Sequence, residues 1–183
     1  DSTGSEIDST TTANGGGWSF CDLLPGDYYV EEVLQSGWHN VSDDNQSVEL
    51  DCDDIDDIEF RNTPLLCISG TKVNDCNDEG LDGWTIILKD STGSEIDSTT
   101  TANGGGWSFC DLHPGDYYVE EDLEEGWHNV TELNQSVELD CEDEDGIEFR
   151  NEPLLCISGT KVNDCNEAGL DGWTIILKDS TGS

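Results

Sequence analysis

The string Asp-Ser-Thr-Gly-Ser occupies residues 1–5, 90–94 and 179–183, so successive copies lie 89 residues apart. The period is not confined to that string. Aligning 1–94 with 90–183 leaves 13 differences, among them Leu24/His113, Val33/Asp122, Ile55/Glu144 and Asp78/Glu167. Every Cys, Trp, Tyr, Phe, Lys and Arg stays in register. A fixed period of this kind restricts the fold to tandem copies of one unit. Each unit has the size of a small single domain.

Helical periodicity is absent from the unit, and strand signals are dense. Residues 67–73, 84–90, 95–101, 106–112, 116–122, 136–141 and 146–151 are short β-branched or aromatic runs. Gly, Asn, Asp and Pro clusters separate them, which is how turns between strands read. The pattern predicts an all-β fold, a tandem array of immunoglobulin-like (prealbumin-like) antiparallel β-sandwich repeats, with a barrel as the alternative. The natural unit opens after "NTP" or "NEP". That places a partial repeat lacking its first two strands at 1–63, a complete one at 64–152, and the first two strands of the next at 153–183. Neither partial piece buries its apolar faces alone. The reading leaves two arrangements open: a window on one long tandem array, or subunits that lend their last strands to a neighbour.

Charge removes several function classes. With 43 acidic and 6 basic residues the formal net charge is −37. Phosphate backbones need a basic face, and anionic membrane surfaces repel such a chain, so neither nucleic acid nor membrane is an expected partner. No apolar run approaches the ~20 residues of a membrane span. Four cysteines recur per period (Cys21, Cys52, Cys67 and Cys76, then Cys110, Cys141, Cys156 and Cys165) with no CxxC pair. An even number per small β-rich unit favours disulfides and an oxidising, extracellular setting. Sequons at Asn40, Asn45, Asn129 and Asn134 agree with that setting and make surface glycans a candidate partner.

The order "ISGTKVNDCNDEGLDGWTIILKD", "TTTANGGGWSFCDLHPGDYYVEE", "GWHN" and "IEFRN" resembles the B-type repeat domains of microbial surface proteins, including the serine-aspartate repeat and collagen-adhesin (Cna) families. The resemblance covers the whole period. It implies a prealbumin-like sandwich serving as stalk, spacer or shaft module, often with calcium, and in some members an internal Lys–Asn isopeptide bond. The acidic loop here is shorter than the family's usual calcium loop, and four cysteines per domain depart from its common pattern.

Strand alternation argues for the same chemistry independently. Side chains at i and i+2 share a face. Lys72 therefore joins Ile68 and Gly70, Glu121 joins Tyr117 and Val119, and Asn151 joins Ile147 and Phe149, all on apolar faces. A lone buried Lys costs several kcal/mol or gives up its charge. Converging with a carboxyl and an amide, its neutral amine can attack the amide carbon. Equivalent positions in the partial copies are Glu32, Asn62 and Lys161. The competing reading is a buried ion pair, or a lysine reaching out to the sheet edge, with no reaction.

Alternating strand directions put Cys67 at the pole where the first strand starts, with Cys110 and Cys141 at that pole too. The expected pairing is Cys67–Cys141, which leaves Cys76 and Cys110 to bond across a domain boundary or to each other. For metal, the turn "NDCNDEGLDG" offers Asp75, Asn77, Asp78 and Asp82, and its counterpart Asp164, Asn166, Glu167 and Asp171. Such oxygen donors suit Ca²⁺, and a solvated acidic surface is the plainer alternative. His39, His113 and His128 form no ligand set, and the tryptophans read as core or joint packing. No nucleophile elbow or phosphate-cradling loop is present. The expectation is not an enzyme but a structural segment of an extracellular filament, stalk or surface fibre whose partners are copies of itself. The alternative is an adhesin whose repeats bind a glycan or host protein.

Overall fold

Residues 68, 70 and 72 on one strand, and 147, 149 and 151 on another, set the frame, because their alternation gives each strand one face that must leave water. The structure, a computed structural model, describes residues 4–180. Asp1–Thr3 and Thr181–Ser183, parts of the outer copies of the five-residue string, lie outside the described residues. The strands in chain order are β1 (Gly26–Glu31), β2 (Trp38–Asn40), β3 (Asn45–Leu50), β4 (Asn62–Pro64), β5 (Leu66–Asn74), β6 (Glu79–Gly80) and β7 (Thr85–Asp90). They continue with β8 (Glu95–Thr100), β9 (Gly106–Leu112), β10 (Gly115–Glu121), β11 (Trp127–Asn129), β12 (Asn134–Leu139) and β13 (Glu144–Pro153). No helix occurs among the described residues.

Strands β5 to β13 make one sandwich. One sheet runs β12-β10-β7-β8; the other runs β11-β13-β5, with β6 and β9 also paired to β5. Ile68, Ile86, Leu88, Val119, Leu139 and Phe149 fill the space between the sheets and are essentially inaccessible. Burying each such side chain contributes roughly 1.5–3 kcal/mol. Gly70 has no room for a Cβ, because the Ile147 carbonyl and the Trp107 ring press against it.

One pairing departs from the all-antiparallel expectation: β5 and β13 lie side by side and parallel, with Phe149 opposite Lys72 and Asn151 opposite Asn74. The physical reason is parity. In a run of seven principal strands that alternate in direction, the first and seventh point the same way, so they can be neighbours only as a parallel pair.

The flanking copies behave differently. β1 pairs β3 from Gly26↔Leu50, and β2 pairs β4 from Trp38↔Pro64. These registers repeat β10 with β12 from Gly115↔Leu139 and β11 with β13 from Trp127↔Pro153. The pairing is kept while the core is not: Val30, Val48 and Leu50 are only half-buried where Val119, Val137 and Leu139 are buried. Residues 154–180 form no strand and hold one isolated bridge, Val162↔Gly169.

Candidate functional site

Besides Thr101, whose hydroxyl donates to the Leu81 carbonyl, the buried polar side chains among the described residues are Lys72, Glu121 and Asn151, which the sandwich interior has no apolar reason to hold. Each sits on the inward face that alternation assigns, with exposures of 0%, 2% and 0%. β5 and β13 bring Lys72 and Asn151 from adjacent strands, and β10 brings Glu121 from the opposite sheet. Lys72 Nζ lies 3.1 Å from Glu121 Oε2, with both side chains fully enclosed. The same amine donates to the Phe149 carbonyl at 3.3 Å and stands 4.4 Å above the Trp84 ring centroid. Lys72 does not reach out to solvent at the sheet edge.

The polar satisfaction of this cluster is incomplete. Asn151 Nδ2 and Oδ1 have no hydrogen-bond partner, and neither Glu121 oxygen has an aligned one. Glu121 Oε2 still has the Lys72 amine as its ion-pair partner. Buried polar atoms are ordinarily paired, so Glu121 Oε1 and the two Asn151 amide atoms call for a reason. Burial pulls the Lys72 pKa below its ordinary value; the Glu121 carboxylate opposes that shift, and the Arg150 charge adds to it. A lysine held this way is nearer to the neutral amine that nucleophilic attack requires. In the N-terminal copy, Asn62 Nδ2 donates to Glu32 Oε2 at 2.9 Å, while Glu32 Oε1 and Asn62 Oδ1 stay unpartnered. Lys161 lies far along the chain, over the Trp173 ring at 4.9 Å.

The disulfide joins Cys67 to Cys110, with S–S 2.10 Å and Cα–Cα 4.1 Å. The expected Cys67–Cys141 pairing is thereby corrected. Both candidates end at the pole where β5 starts, but only β9 is a neighbour of β5 in its sheet. The β5–β9 register slips between Leu66 and Ile68, which sets Cys67 beside Cys110. β12, which carries the chain towards Cys141, lies at the edge of the other sheet. Cys21, Cys52, Cys76, Cys141, Cys156 and Cys165 are free and exposed. Cys141 adjoins Asp140, whose carboxylate raises its thiol pKa.

The acidic turn is already occupied by protein. Arg150 Nε donates to Asp75 Oδ1 at 2.6 Å and Nη1 to Glu148 Oε1 at 2.9 Å, while Nη2 pairs with Asp78. The three carboxylates, Glu148 foremost, raise the Arg150 pKa further above its ordinary value. Asn77 bonds Glu79 through both its side-chain atoms. Asp82 Oδ1 accepts the Gly104 and Gly105 amides at 2.9 and 2.7 Å, so it fastens the glycine loop to the connection between β6 and β7. That loop is tight, since Gly105 has positive φ and its Cα faces the Lys72 carbonyl with no room for a Cβ. In the C-terminal copy, Asn166 Oδ1 accepts the Ala168 amide, and Asp164, Glu167 and Asp171 are exposed. Among the described residues no group of three or more His, Cys, Asp or Glu side chains is disposed to hold a metal ion. Residues 140–146 are a further acidic run, and within it Asp143 Oδ1 accepts the Cys67 amide at 2.8 Å while Glu144 pairs with Ile68.

Of the sequon asparagines, Asn45 and Asn134 are exposed at the starts of β3 and β12, and Asn40 and Asn129 are half-buried in β2 and β11. His39 and His113 are exposed and their rings are 4.0 Å apart. Arg150 is the functional residue that sequence reading passed over. Its signal was available: within "IEFRN" it falls on the outward face, and it is one of only two arginines in a chain of 43 acidic residues.

Comparison with known proteins matches residues 68–158 to the family described as SdrD B-like domain. Colossin-A of Dictyostelium discoideum is 31% identical over 137 residues, covering 66% of this chain and 1% of that protein. Serine-aspartate repeat-containing protein I of Staphylococcus saprophyticus is 28% identical over 161 residues, 72% of this chain and 8% of that one. The chain thus spans less than a tenth of either relative. Among solved structures, the Bacillus anthracis TIE protein superposes with a TM-score of 0.47 at 18% identity, over 78% of this chain and 28% of that one.

Proposed function

Residues 68–158 form an SdrD B-like domain, and on that premise we propose that the chain is a structural segment of an extracellular filament, stalk or surface fibre. The observation that carries this reading is the placement of Lys72 and Asn151 on β5 and β13, the first and last strands of the sandwich, side by side and parallel. Tension along such a chain enters at Leu66 and leaves at Pro153, at opposite poles. It therefore shears β5 against β13 and loads all the hydrogen bonds between them together. A covalent bond between these two strands carries the tension past the rest of the domain.

The chemistry proposed for that bond is isopeptide formation. The Lys72 Nζ lone pair attacks Asn151 Cγ, a protonated Glu121 hydrogen-bonds the carbonyl oxygen and relays the proton, and the Cγ–Nδ2 bond breaks. Ammonia leaves, and an Nζ–Cγ amide remains. The reaction happens once per domain and turns over nothing. The orphaned Asn151 amide, the enclosed Glu121 and the burial-lowered Lys72 support it. The Cys67–Cys110 disulfide and the exposed Asn45 and Asn134 sequons support the extracellular setting.

Intact mass of the denatured, reduced, deglycosylated chain tests the bond. A mass lower by one ammonia, with the crosslink mapped to Lys72 and Asn151, supports the proposal. An unmodified mass leaves an ion pair and overturns the isopeptide.

A further inference from the structure

We propose that Asn134 carries an N-linked glycan whose first sugars lie along Tyr118 on the outer face of the β12-β10-β7-β8 sheet, while Asn129 of the neighbouring sequon stays bare. The site rests on the sheet geometry and goes beyond the fibre reading.

Both asparagines satisfy the Asn-X-Ser/Thr rule, so the sequence does not separate them. Their cross-strand partners do, because residues directly opposite one another in an antiparallel pair share a face of the sheet. Asn129 lies opposite Asn151, whose side chain is fully buried in the sandwich. Asn129 thus belongs to the inward face, and it is itself half-buried. Its Nδ2 donates to the Thr131 carbonyl at 3.1 Å, and the Thr131 hydroxyl accepts the Arg150 amide at 2.9 Å. Both reactive groups of that sequon are committed to the fold.

Asn134 has the opposite placement. It lies opposite Glu120, and Ser136 lies opposite Tyr118, so all four side chains project from the outer face. The intervening Val119 and Val137 are the buried ones. Asn134 and Ser136 are exposed. Asn134 Nδ2 donates to Glu120 Oε2 at 3.1 Å, and the same oxygen holds Lys89 Nζ at 2.7 Å. A side-chain amide has two hydrogens, and a glycan replaces one of them. The other keeps the Glu120 bond, so this carboxylate fixes the direction in which the glycan leaves the sheet.

A surface for the sugars adjoins the site. Tyr118, Val130, Glu132 and Gln135 line an open groove of about 610 Å³, with Asn134 on its wall. Tyr118 and Val130 are 37% and 47% exposed. The tyrosine offers a sugar ring an apolar face and a polar end. β12 is also the edge strand of its sheet. Exposed edges are templates for pairing with another chain, and natural proteins cover them. A glycan rooted at the first residue of β12 screens that edge.

The modification is a group transfer from a lipid-linked oligosaccharide. Asn134 Nδ2 bonds to the anomeric carbon of the donor, and the bond from that carbon to the phosphate oxygen breaks. The amide gives up one proton, and the lipid phosphate leaves with the electron pair.

The test uses the full chain secreted from a eukaryotic host that modifies Asn-X-Ser/Thr sites. Enzymatic release of the glycans in heavy-oxygen water turns each modified asparagine into a labelled aspartate, which peptide fragmentation locates. The expected result is label at Asn134 and none at Asn129. Ser136→Ala, which leaves Asn134 in place, should abolish that label, and Asn129→Gln should leave it unchanged. Thermal unfolding of the central sandwich shows that both variants fold. Label at Asn129 in the folded chain, or none at Asn134, overturns the site. Tyr118→Ser tests the packing: an endoglycosidase should trim the glycan from the folded variant several-fold faster than from the native chain. Equal rates overturn the contact with Tyr118.

Discussion

Lys72 and Glu121 face each other across the sandwich at 3.1 Å, and neither side chain has any access to water. A charge taken from water and left alone is far more costly than one left with its partner. Glu121→Ala is therefore expected to destabilise the uncrosslinked domain by about 3–5 kcal/mol. Replacing both residues, as in Lys72→Met with Glu121→Leu, should cost much less than Glu121→Ala alone. Urea unfolding of the single and double variants, made in an Asn151→Ala background that cannot crosslink, measures the difference.

The pH dependence follows from the direction of the Lys72 shift. Burial lowers its pKa in the folded state from the ordinary 10.5. Between that lowered value and 10.5 the unfolded chain holds a proton that the folded chain has released, so unfolding takes up a proton. Stability then rises with pH across this window and levels off above it. The Asn151→Ala chain should show this rise, and the same chain with Lys72→Met should lack it. Equal slopes in the two would contradict the assignment.

Reduction of Cys67–Cys110 opens a loop with a sequence separation of 43 residues. By chain entropy, closing a loop of that length contributes about 4 kcal/mol. Cys110→Ser is expected to lower the stability of the central sandwich by an amount of that order in guanidinium unfolding. Cys141→Ser should leave it within about 0.5 kcal/mol, since Cys141 is exposed and free.

Calcium must compete with Arg150 for Asp75 and Asp78. Binding measured by titration calorimetry should accordingly be weaker in the native chain than in Arg150→Ala, where both carboxylates are released. Tighter binding by the native chain would mean that the ion uses oxygens other than these two.

Much of this architecture is a local property of the sequence. The 89-residue period, the positions of seven strands, and the inward aim of Lys72, Glu121 and Asn151 all follow from repetition and from period-2 alternation, which need no knowledge of neighbours. The two short strands β6 and β11 escaped because two or three residues carry no periodicity to detect. The rest required adjacency. Which cysteine meets Cys67 depends on β9, not β12, lying next to β5 in the sheet. The capture of Arg150 by Asp75 and Asp78 joins residues some 75 positions apart. The parallel contact of β5 and β13, which sets Lys72 and Asn151 on neighbouring strands, exists only once the first and last strands close the same sheet. Side-chain facing is written residue by residue along a strand, whereas strand neighbours are chosen by the burial of the whole core, and that choice is made only in three dimensions.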